Sequence, residues 1–525
     1  DEYRDGVHLS RIRWTVSGGV WTMESLDPSD GFAPVASESL TIVTNGATVA
    51  ERRTRGGTVS ETRWRDFPGI GSFAFEETVG SGADAMTTYC APVTSGPASG
   101  APLPEVRPDG SWVLNSYDAE GRLASVTTPF GDTAPVRDAS HAVIGYNAHV
   151  RKTGYGYAPV DPRDDGTCHP RDPRTTSEYV GSDADGWRLV SRARAAQYVS
   201  GNERYDIVER AASAQASYGD AANPRTVSCY HWRNADAGEL KWRVGEDGLK
   251  TGRVCSHDGL ARTTTTMTAP LSGAVPFRTT FSREFMDAKG DVLREETWLV
   301  TDGAPELLSW TSYVRDAAGR EIRRETSSGE VAERAYACCG PEWTRDERGI
   351  VTDYVYDSAG REIVTQRGTV QTETRYDLAG RVSETVRRGV GTGLALASTR
   401  GYDTAGRLAW SVGEDGVRTE YRYGVAPEGG EVRTTVRAAG TDCAVTNTTV
   451  SYRDGGTKAT YLNGILKSTE VREPFAETIY EGPRGTASSR WSRTETDFLG
   501  RTVAETHPGF RGALLVTSNA YDTVG

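Results

Sequence analysis

Residues that suit a half-buried surface alternate with charged ones in many short stretches of this chain. In RTEYRY at 418–423, the threonine and both tyrosines fall on one side of an extended backbone, while the glutamate and the arginines fall on the other. A period of two residues, filled with β-branched and aromatic side chains, is typical of a β-strand with one solvent-facing side. Only IVERAASAQAS at 207–217 hints at a helix. The pattern therefore predicts a chain built from many short β-strands.

One six-residue sequence, Tyr-Asp-x-x-Gly-Arg, recurs between these stretches and is called the YD motif below. Full copies begin at Tyr117, Tyr356, Tyr376 and Tyr402, and shorter copies that keep the Asp and Gly begin at Asp287, Asp316, Asp346 and Asp497. From Tyr336, intervals of 20, 20, 26 and 21 residues lead through this series to Tyr423. An Asp side chain can hydrogen-bond its own backbone two residues on, and Gly supplies the positive φ that a tight turn requires. Each YD motif is therefore predicted to be a turn between strands.

A second kind of turn lies between the YD motifs, at Asp109-Gly110, Asp247-Gly248 and Asp415-Gly416. Asp-Gly between alternating strands is a strong hairpin signal. Each repeat is thus predicted to contain two strands and two turns. Because a lone hairpin is marginal in water, neighbouring hairpins must pair edge to edge. We also expect the recurring tyrosines to stack on one another, at about 0.5–1.5 kcal/mol per aromatic pair.

The regularity of the repeats varies along the chain. We expect 1–110 to form irregular hairpin units with loops, and 111–312 to form degenerate YD repeats with a loop insertion near 130–176. Regular YD repeats are expected over 313–424, and further units over 425–525, which ends within a repeat. The predicted fold class is all-β, a repeat array of antiparallel β-hairpins.

The YD motifs, at a period of about 20 residues, resemble those of the RHS or YD-repeat family. The resemblance is clearest over 313–424 and is recognisable from about 55 to 525. It implies a spiralling sheet of hairpins that curves into a hollow shell. Members of this family are large secreted or surface-displayed proteins, including bacterial toxins and the adhesion proteins called teneurins. In the toxin members the shell encloses a C-terminal effector, which an aspartyl self-cleavage releases.

The chain departs from the family pattern at one important point. The Asp-Pro-x-Gly core signature and the self-cleavage motif that follows it are missing, since the Asp-Pro pairs at 27–28, 161–162 and 172–173 lie in unrelated contexts. The resemblance therefore implies the shell but not the self-cleavage. We expect the chain to be a fragment of something longer or a shortened relative.

Composition narrows the classes of function further. The 525 residues carry a net charge of −12 and contain no basic block, which gives a nucleic-acid partner no electrostatic footprint. No apolar run approaches the length of a membrane span, and the first residues do not form a signal peptide.

Although hydrophobic residues make up only 37% of the chain, the 23 Tyr and 12 Trp argue against disorder. The 7 Cys are too sparse for a disulfide scaffold in a chain of this length.

One set of residues has the chemistry of a zinc site. Cys229 and His231 on one predicted strand, with Cys255 and His257 on another, would supply four suitable ligands. However, His257 begins HDGLAR, which is a YD motif with His in place of Tyr. The ligand spacing also differs from that of compact zinc motifs, and buried Cys commonly serves as a small hydrophobe. We therefore assign no metal, no cofactor and no catalytic residue.

A second set would suit proton abstraction from a uronate sugar. His141 and His149 lie close in sequence to Tyr146 and Arg151, the residue types that a polysaccharide lyase uses. Their spacing does not support that chemistry by itself. The chain also lacks the Gly-x-Ser-x-Gly, His-Glu-x-x-His and Walker motifs.

Three functions remain as hypotheses. The first is a structural shell segment of a secreted or surface protein, with an enclosed cargo or effector domain as its partner, or with a displayed binding surface. The second is a carbohydrate-binding or adhesion module, in which Trp232, Trp242 and Trp410 stack on a surface glycan. The third is a lyase-like enzyme whose cleft is formed by the loops at 130–176. All three place the protein outside the cell, and the first is preferred because the sequence contains no catalytic signature.

Overall fold

The computed structural model describes residues 2–4, 7–27, 33–137, 143–166, 169–233, 237–258, 261–270, 279–300, 305–337, 339–484 and 489–521. Within these ranges the chain forms 42 β-strands and two single-turn 3-10 helices, Gly82–Asp84 and Phe510–Gly512, and no α-helix. The expectation of an all-β chain is confirmed.

The first half of the strands, in chain order, are β1 Glu2–Arg4, β2 Val7–Ser17, β3 Val20–Asp27, β4 Ala33–Asn45, β5 Thr48–Arg55, β6 Thr58–Phe67, β7 Gly71–Val79, β8 Met86–Pro92, β9 Pro102–Val106, β10 Trp112–Tyr117, β11 Leu123–Pro129, β12 Pro135–Arg137, β13 Val143–Tyr146, β14 Val150–Gly156, β15 Thr175–Ser182, β16 Gly186–Ser200, β17 Glu203–Arg210, β18 Arg225–His231, β19 Leu240–Val244, β20 Leu249–Asp258 and β21 Ala261–Pro270.

The second half are β22 Thr279–Met286, β23 Val292–Val300, β24 Pro305–Arg315, β25 Glu321–Thr326, β26 Val331–Tyr336, β27 Pro341–Arg345, β28 Val351–Tyr356, β29 Glu362–Arg367, β30 Val370–Tyr376, β31 Val382–Gly389, β32 Ala395–Tyr402, β33 Leu408–Val412, β34 Arg418–Val425, β35 Glu431–Arg437, β36 Val445–Ser451, β37 Thr457–Leu462, β38 Ile465–Glu473, β39 Ala476–Glu481, β40 Trp491–Thr496, β41 Thr502–Pro508 and β42 Leu514–Ser518.

Forty of these strands form one continuous antiparallel sheet. Each strand pairs with its neighbour in sequence, and β11 pairs directly with β14 because β12 and β13 form a separate hairpin between them. The ladder also runs across the expected boundaries, since β24 spans residue 312 and β34 spans residue 424. The division into four stretches by repeat regularity stays a prediction. The 130–176 insertion itself contains β12, β13 and β14.

The turn chemistry explains why strand follows strand so regularly. At Asp109-Gly110, Arg107 donates its N–H to the Ser111 carbonyl at 2.9 Å, and Gly110 has a φ of 80°. The turn before Arg381 closes in the same way, with Asp377 N–H bound to the Arg381 carbonyl at 2.8 Å. Such a turn carries a bulge, and a bulge re-aims the adjacent side chain. The strand register accordingly shifts at the tyrosine of the YD motif, as at Tyr402.

The helix suggested by residues 207–217 does not form. Residues 207–210 are the end of β17, and 211–217 belong to the connection that leads to β18. Ile207 is buried on one side of the strand, whereas Val208 on the other side is half exposed. Pairing of β17 with strands on both sides overrides the local helix propensity of the alanines.

The best-packed apolar core lies on one face of the sheet between β9 and β18, called the covered face here. Its two clusters are Val106, Trp112, Val143 and Val150, and Ala196, Tyr198 and Ile207. Val143 comes from the connection at 130–149, while Val160 and Tyr218 come from those at 157–174 and 211–224. Connections that fold back over one side of the sheet thus supply the thickness that a single sheet lacks.

Candidate functional site: the clasp between repeats and the seam between turns

Each YD motif forms the same polar turn. In the copy at 377–381, Asp377 Oδ1 accepts the N–H groups of Ala379 and Arg381, both at 2.9 Å. Asp377 Oδ2 accepts a hydrogen bond from Arg381 Nε at 2.7 Å, and Gly380 has a φ of 82°. The same Asp–Arg pairing occurs at 118/122, 316/320, 357/361, 403/407 and 497/501. In the copy at 316–320, the hydrogen bond from Arg320 holds the pKa of Asp316 below its ordinary value, which keeps the pair ionised.

The arginine of one YD motif then covers the tyrosine of the next repeat. The Arg381 guanidinium lies 4.3 Å from the centre of the Tyr402 ring, and the Tyr402 hydroxyl donates to the Val382 carbonyl at 2.8 Å. Other copies of this arginine-over-tyrosine contact are 122/157, 320/336, 361/376, 407/423 and 501/521. We call this arrangement the clasp. It joins consecutive repeats through a cation–π contact and a hydrogen bond.

The clasp corrects the expected stacking of tyrosine on tyrosine. In the regular repeats, the rings of Tyr336, Tyr376, Tyr402 and Tyr423 each face an arginine of the preceding turn. The physical reason is the bulge at each motif, which directs the ring toward the preceding turn. The guanidinium, held in place by its own aspartate, is the group that occupies that position.

The sheet also contacts itself over a long sequence distance. Arg381 Nη1 donates to Thr58 Oγ1 at 2.8 Å, and Ser81 N–H donates to Thr404 Oγ1 at 2.9 Å, both across 323 residues. Space is tight, because a Cβ added at Gly56 would lie 2.0 Å from the backbone nitrogen of Ala379. We call this line of contacts the seam.

The seam continues in register. Gly430 N–H donates to the Asp109 carbonyl at 2.7 Å, and Gly131 N–H donates to Asp454 Oδ2 at 2.9 Å. The four contact points join the β5–β6 turn to β30–β31, β7–β8 to β32–β33, β9–β10 to β34–β35, and β11–β14 to β36–β37. Leaving out β12 and β13, the offset is 23 strands each time. A constant offset means that the sheet is a spiral in which the turns of one winding, including the YD turns at 377–381 and 403–407, rest on the hairpin ends of the previous winding.

Charge supports the seam at its far end. Lys458 Nζ lies 2.6 Å from both Asp132 Oδ2 and Glu428 Oε1, so it joins the two windings. The hydrogen bond from Lys458 lowers the pKa of Glu428. Further back along the seam, a cavity of about 480 Å³ is lined from both windings, with Asp84 on one side and Arg407 on the other.

The four residues considered as zinc ligands are Cys229, His231, Cys255 and His257, and the structure describes the side chains of the first two only. Cys229 is fully buried, and its Sγ lies 3.6 Å from Glu203 Oε2. Burial, followed by the charge of Glu203, raises the pKa of this thiol to about 11. β19 separates the strand of Cys229 and His231 from β20, and the side chains of Cys255 and His257 lie outside the described residues. No group of three or more potential ligands suited to a metal ion occurs among the described side chains.

The lyase-like set is likewise dispersed. Tyr146 stacks on Trp112 with ring centres 6.1 Å apart, and His149 Nε2 pairs with Asp185 at 3.2 Å. Arg151 lies on the opposite face of β14 from its neighbour Val150, which belongs to the core, and His141 lies outside the described residues. Among the described members of this set, Tyr146, His149 and Arg151 do not converge on a common point.

The tryptophans expected to bind sugar are already covered by cations. The ring centres of Trp232, Trp242 and Trp410 lie 5.5, 4.7 and 4.8 Å from the side-chain cations of Arg204, Lys250 and Arg418. These rings pack against neighbouring side chains of the sheet.

Two carboxylates of the 157–174 connection, those of Asp161 and Asp164, are buried. Asp164 Oδ2 accepts a hydrogen bond from Arg174 Nε at 2.5 Å, with both side chains almost fully enclosed. Asp161 is bound by Arg163, which lowers its pKa, and by the Tyr218 hydroxyl at 3.0 Å. Asp164 Oδ2 also accepts the N–H of Gln197 on β16 at 3.0 Å, which fastens the connection to the sheet.

No family model and no curated protein matches the chain. Among solved structures, the chain is similar to TcdB2-TccC3-TEV, with 11% identity over 95% of this chain and 36% of that chain and a TM-score of 0.17. The chain is also similar to TcdB2-TccC3 without its hypervariable C-terminal region, with 10% identity over 92% of this chain and 35% of that chain and a TM-score of 0.18. For the Photorhabdus luminescens Tc holotoxin pore, the identity is 11% over 95% of this chain and 35% of that chain, and the TM-score is 0.18. The chain thus spans about a third of these chains. TM-scores this low carry no structural argument. The description of the fold as a spiral of antiparallel hairpins therefore depends on the chain's own geometry.

Within the described residues, no helix is both long and apolar enough to cross a membrane.

Proposed function

We propose that this chain forms part of the wall of a hollow shell, in a secreted or surface-displayed RHS/YD-repeat protein that encloses a polypeptide cargo such as a toxin. The observation that carries the proposal is the seam with its constant offset of 23 strands. A single sheet that returns to rest on its own edge surrounds a space, whereas a flat or stacked sheet would not.

The offset sets the width of that space. With neighbouring strands ~4.8 Å apart, one winding measures about 110 Å around, which gives a diameter of about 35 Å. Tilting the strands by about 40°, as in barrels, widens it to about 45 Å. Inward side chains take up about 5 Å on each side. The remaining 25–35 Å would admit an extended chain or a helix about 10–12 Å across. A folded domain of about 100 residues, with a diameter near 34 Å, would scarcely fit.

The seam can be tested by cross-linking. Ser81→Cys and Thr404→Cys, in a background with the exposed Cys339 and Cys443 changed to Ser, should form a disulfide under mild oxidation. The matched control replaces Thr404→Cys with Ser358→Cys, because Ser358 holds the same place in another YD motif. Faster migration on a non-reducing gel for the first pair alone supports the seam. Equal cross-linking of both pairs, or of neither, contradicts it.

The shell itself can be tested by cryo-electron microscopy of the same protein. End-on views should show a ring with an open or cargo-filled centre. A centre packed continuously with the chain's own side chains would refute enclosure, even if the cross-link formed.

A further inference from the structure

Two turns of the later winding pack against the face of the sheet opposite the covered face. Phe475 lies in the β38–β39 turn and Phe498 in the YD turn between β40 and β41, and their ring centres are 6.4 Å apart. These turns meet β15–β16 and the β17–β18 connection, again at an offset of 23 strands. The Arg188 guanidinium of β16 lies 4.6 Å from the Phe475 ring centre, so the seam here is partly aromatic.

A cavity of about 300 Å³ lies between the two windings at this place, and we call it the phenylalanine cavity. Val180 and Ala211 of the earlier winding, 3% and 1% exposed, form part of its lining. The other apolar lining residues are Val190, Ala193, Pro474, Phe475, Phe498 and Leu499. A cavity of this size, with apolar side chains from both windings, has the dimensions of a small-ligand site.

Some of the charged side chains that line the cavity already have partners. Asp497 is paired with Arg501 at 2.8 Å, and Arg210 is paired with Glu246 at 2.5 Å. These two pairs hold the walls of the cavity in place and leave little charge for a ligand to meet.

Arg151 keeps unused binding capacity beside the apolar wall. The register pairs it directly with Val180, so the two side chains share a face. Arg151 is exposed, and the described contacts give its guanidinium no acidic partner. Glu178, which also lines the cavity, accepts a hydrogen bond from Ser191 Oγ at 3.1 Å, and together with Arg192 the lining keeps an excess of positive charge. An unpaired guanidinium favours an anion, and its planar fork matches a carboxylate.

The walls indicate what the rest of the ligand must be. Hydroxyl or phosphate groups placed between the phenylalanine rings and the aliphatic side chains would find few hydrogen-bond partners, and burying them unpaired costs free energy. An aliphatic or aromatic body gains free energy in the same position, because it leaves water.

We propose that the phenylalanine cavity binds a small amphiphilic carboxylate, whose anionic end meets Arg151 and whose apolar body lies between Val180 and the two phenylalanine rings. Because both windings line the cavity, the bound molecule holds the seam closed at this point. The site requires the seam but no cargo, and the cross-link between positions 81 and 404 tests the seam separately.

The test is calorimetric titration of the whole chain with octanoate as the aliphatic probe and phenylbutyrate as the aromatic probe. For ligands of about ten non-hydrogen atoms, the expected Kd lies between about 1 µM and 1 mM. Phenylbutanol is the neutral control and should bind about tenfold more weakly. Absence of binding by both acids at concentrations well above this range would overturn the proposal, and equal binding of the alcohol would refute the role of the carboxylate.

Variants assign the binding to the cavity. Arg151→Gln should weaken binding about tenfold, and Arg151→Lys should lose less because the charge remains. Ala193→Phe should abolish binding because the larger side chain fills the cavity. Arg400→Gln, at an exposed arginine of β32, is the matched control and should bind as the unaltered chain does. Circular dichroism verifies folding of every variant. Equal weakening by Arg400→Gln, or full binding by Ala193→Phe, would place the interaction elsewhere.

Hydrogen–deuterium exchange tests whether the ligand joins the two windings. Adding the tighter acid should slow amide exchange at 178–193 in the earlier winding and at 474–500 in the later one, because binding stabilises the closed seam. Slowing in only one of these segments would contradict a site formed by both windings.

Discussion

Replacing Arg381 with alanine should loosen two parts of the chain that are far apart in sequence. This side chain takes part in a clasp and in the seam, because it binds Asp377, covers Tyr402 and donates to Thr58. Arg361 provides the matched control. It binds Asp357 at 2.8 Å and covers Tyr376 at 4.6 Å, but the described contacts give it none across the seam.

The expected magnitudes follow from these contacts. In each of the two variants, the clasp loses a cation–π contact worth ~0.5–1 kcal/mol. It also loses a partly exposed ion pair worth at most about 1 kcal/mol. Arg381→Ala additionally loses hydrogen bonds from a charged donor to Thr58 and to the Gly56 carbonyl, together about 1.5 kcal/mol. Since 1.4 kcal/mol is a factor of ten in an opening equilibrium, amide exchange over 48–67 should accelerate about tenfold.

Hydrogen–deuterium exchange with mass spectrometry separates the two variants. Both should accelerate exchange locally, near their own turns. Only Arg381→Ala should accelerate it over 48–67. Unchanged exchange there, or an equal increase with Arg361→Ala, would refute the seam as a contact in solution. Exchange is the appropriate measurement because repeat arrays need not unfold in one cooperative step.

Two further predictions concern titratable groups. Burial, followed by a hydrogen bond with Glu477, raises the pKa of Glu470 to about 7 from its ordinary 4.5. The folded state therefore binds the extra proton, and stability falls as pH rises from about 4.5 to 7. Glu470→Gln should raise the melting temperature at pH 8 and leave it nearly unchanged at pH 4.5, and an equal shift at both pH values would contradict this assignment. Cys229, buried and neutral, should resist N-ethylmaleimide at pH 7.5 while the exposed Cys443 reacts, as read by mass spectrometry of the peptides. Labelling of Cys229 without denaturant would contradict its burial.

Local chemistry made much of the fold predictable. The alternation in β34 and the turns at Asp377 and Asp415 depend on residues within a few positions of one another, and the structure bears these predictions out. The tyrosine contact was mispredicted because the bulge that re-aims Tyr402 is a property of the paired strands. A signal was nonetheless present: among the eight copies named above, six contain the arginine of the YD motif and four contain the tyrosine.

The seam could not be derived from the sequence. The contact of Thr58 with Arg381 depends on curvature summed over 23 strands, which no single repeat encodes. The loop insertion expected near 130–176 stays a prediction, and strands β12, β13 and β14 lie within that range.

The fixed count of strands per winding restricts how this protein can change in length. Deleting one hairpin between β14 and β30 would shift every docked turn onto the wrong partner, so Lys458 would no longer meet Asp132. The β12–β13 hairpin, by contrast, adds residues without entering the main sheet and leaves the count unaltered. Insertions should therefore accumulate in side hairpins and connections. Paired strands should be gained or lost only in numbers that add or remove a complete winding.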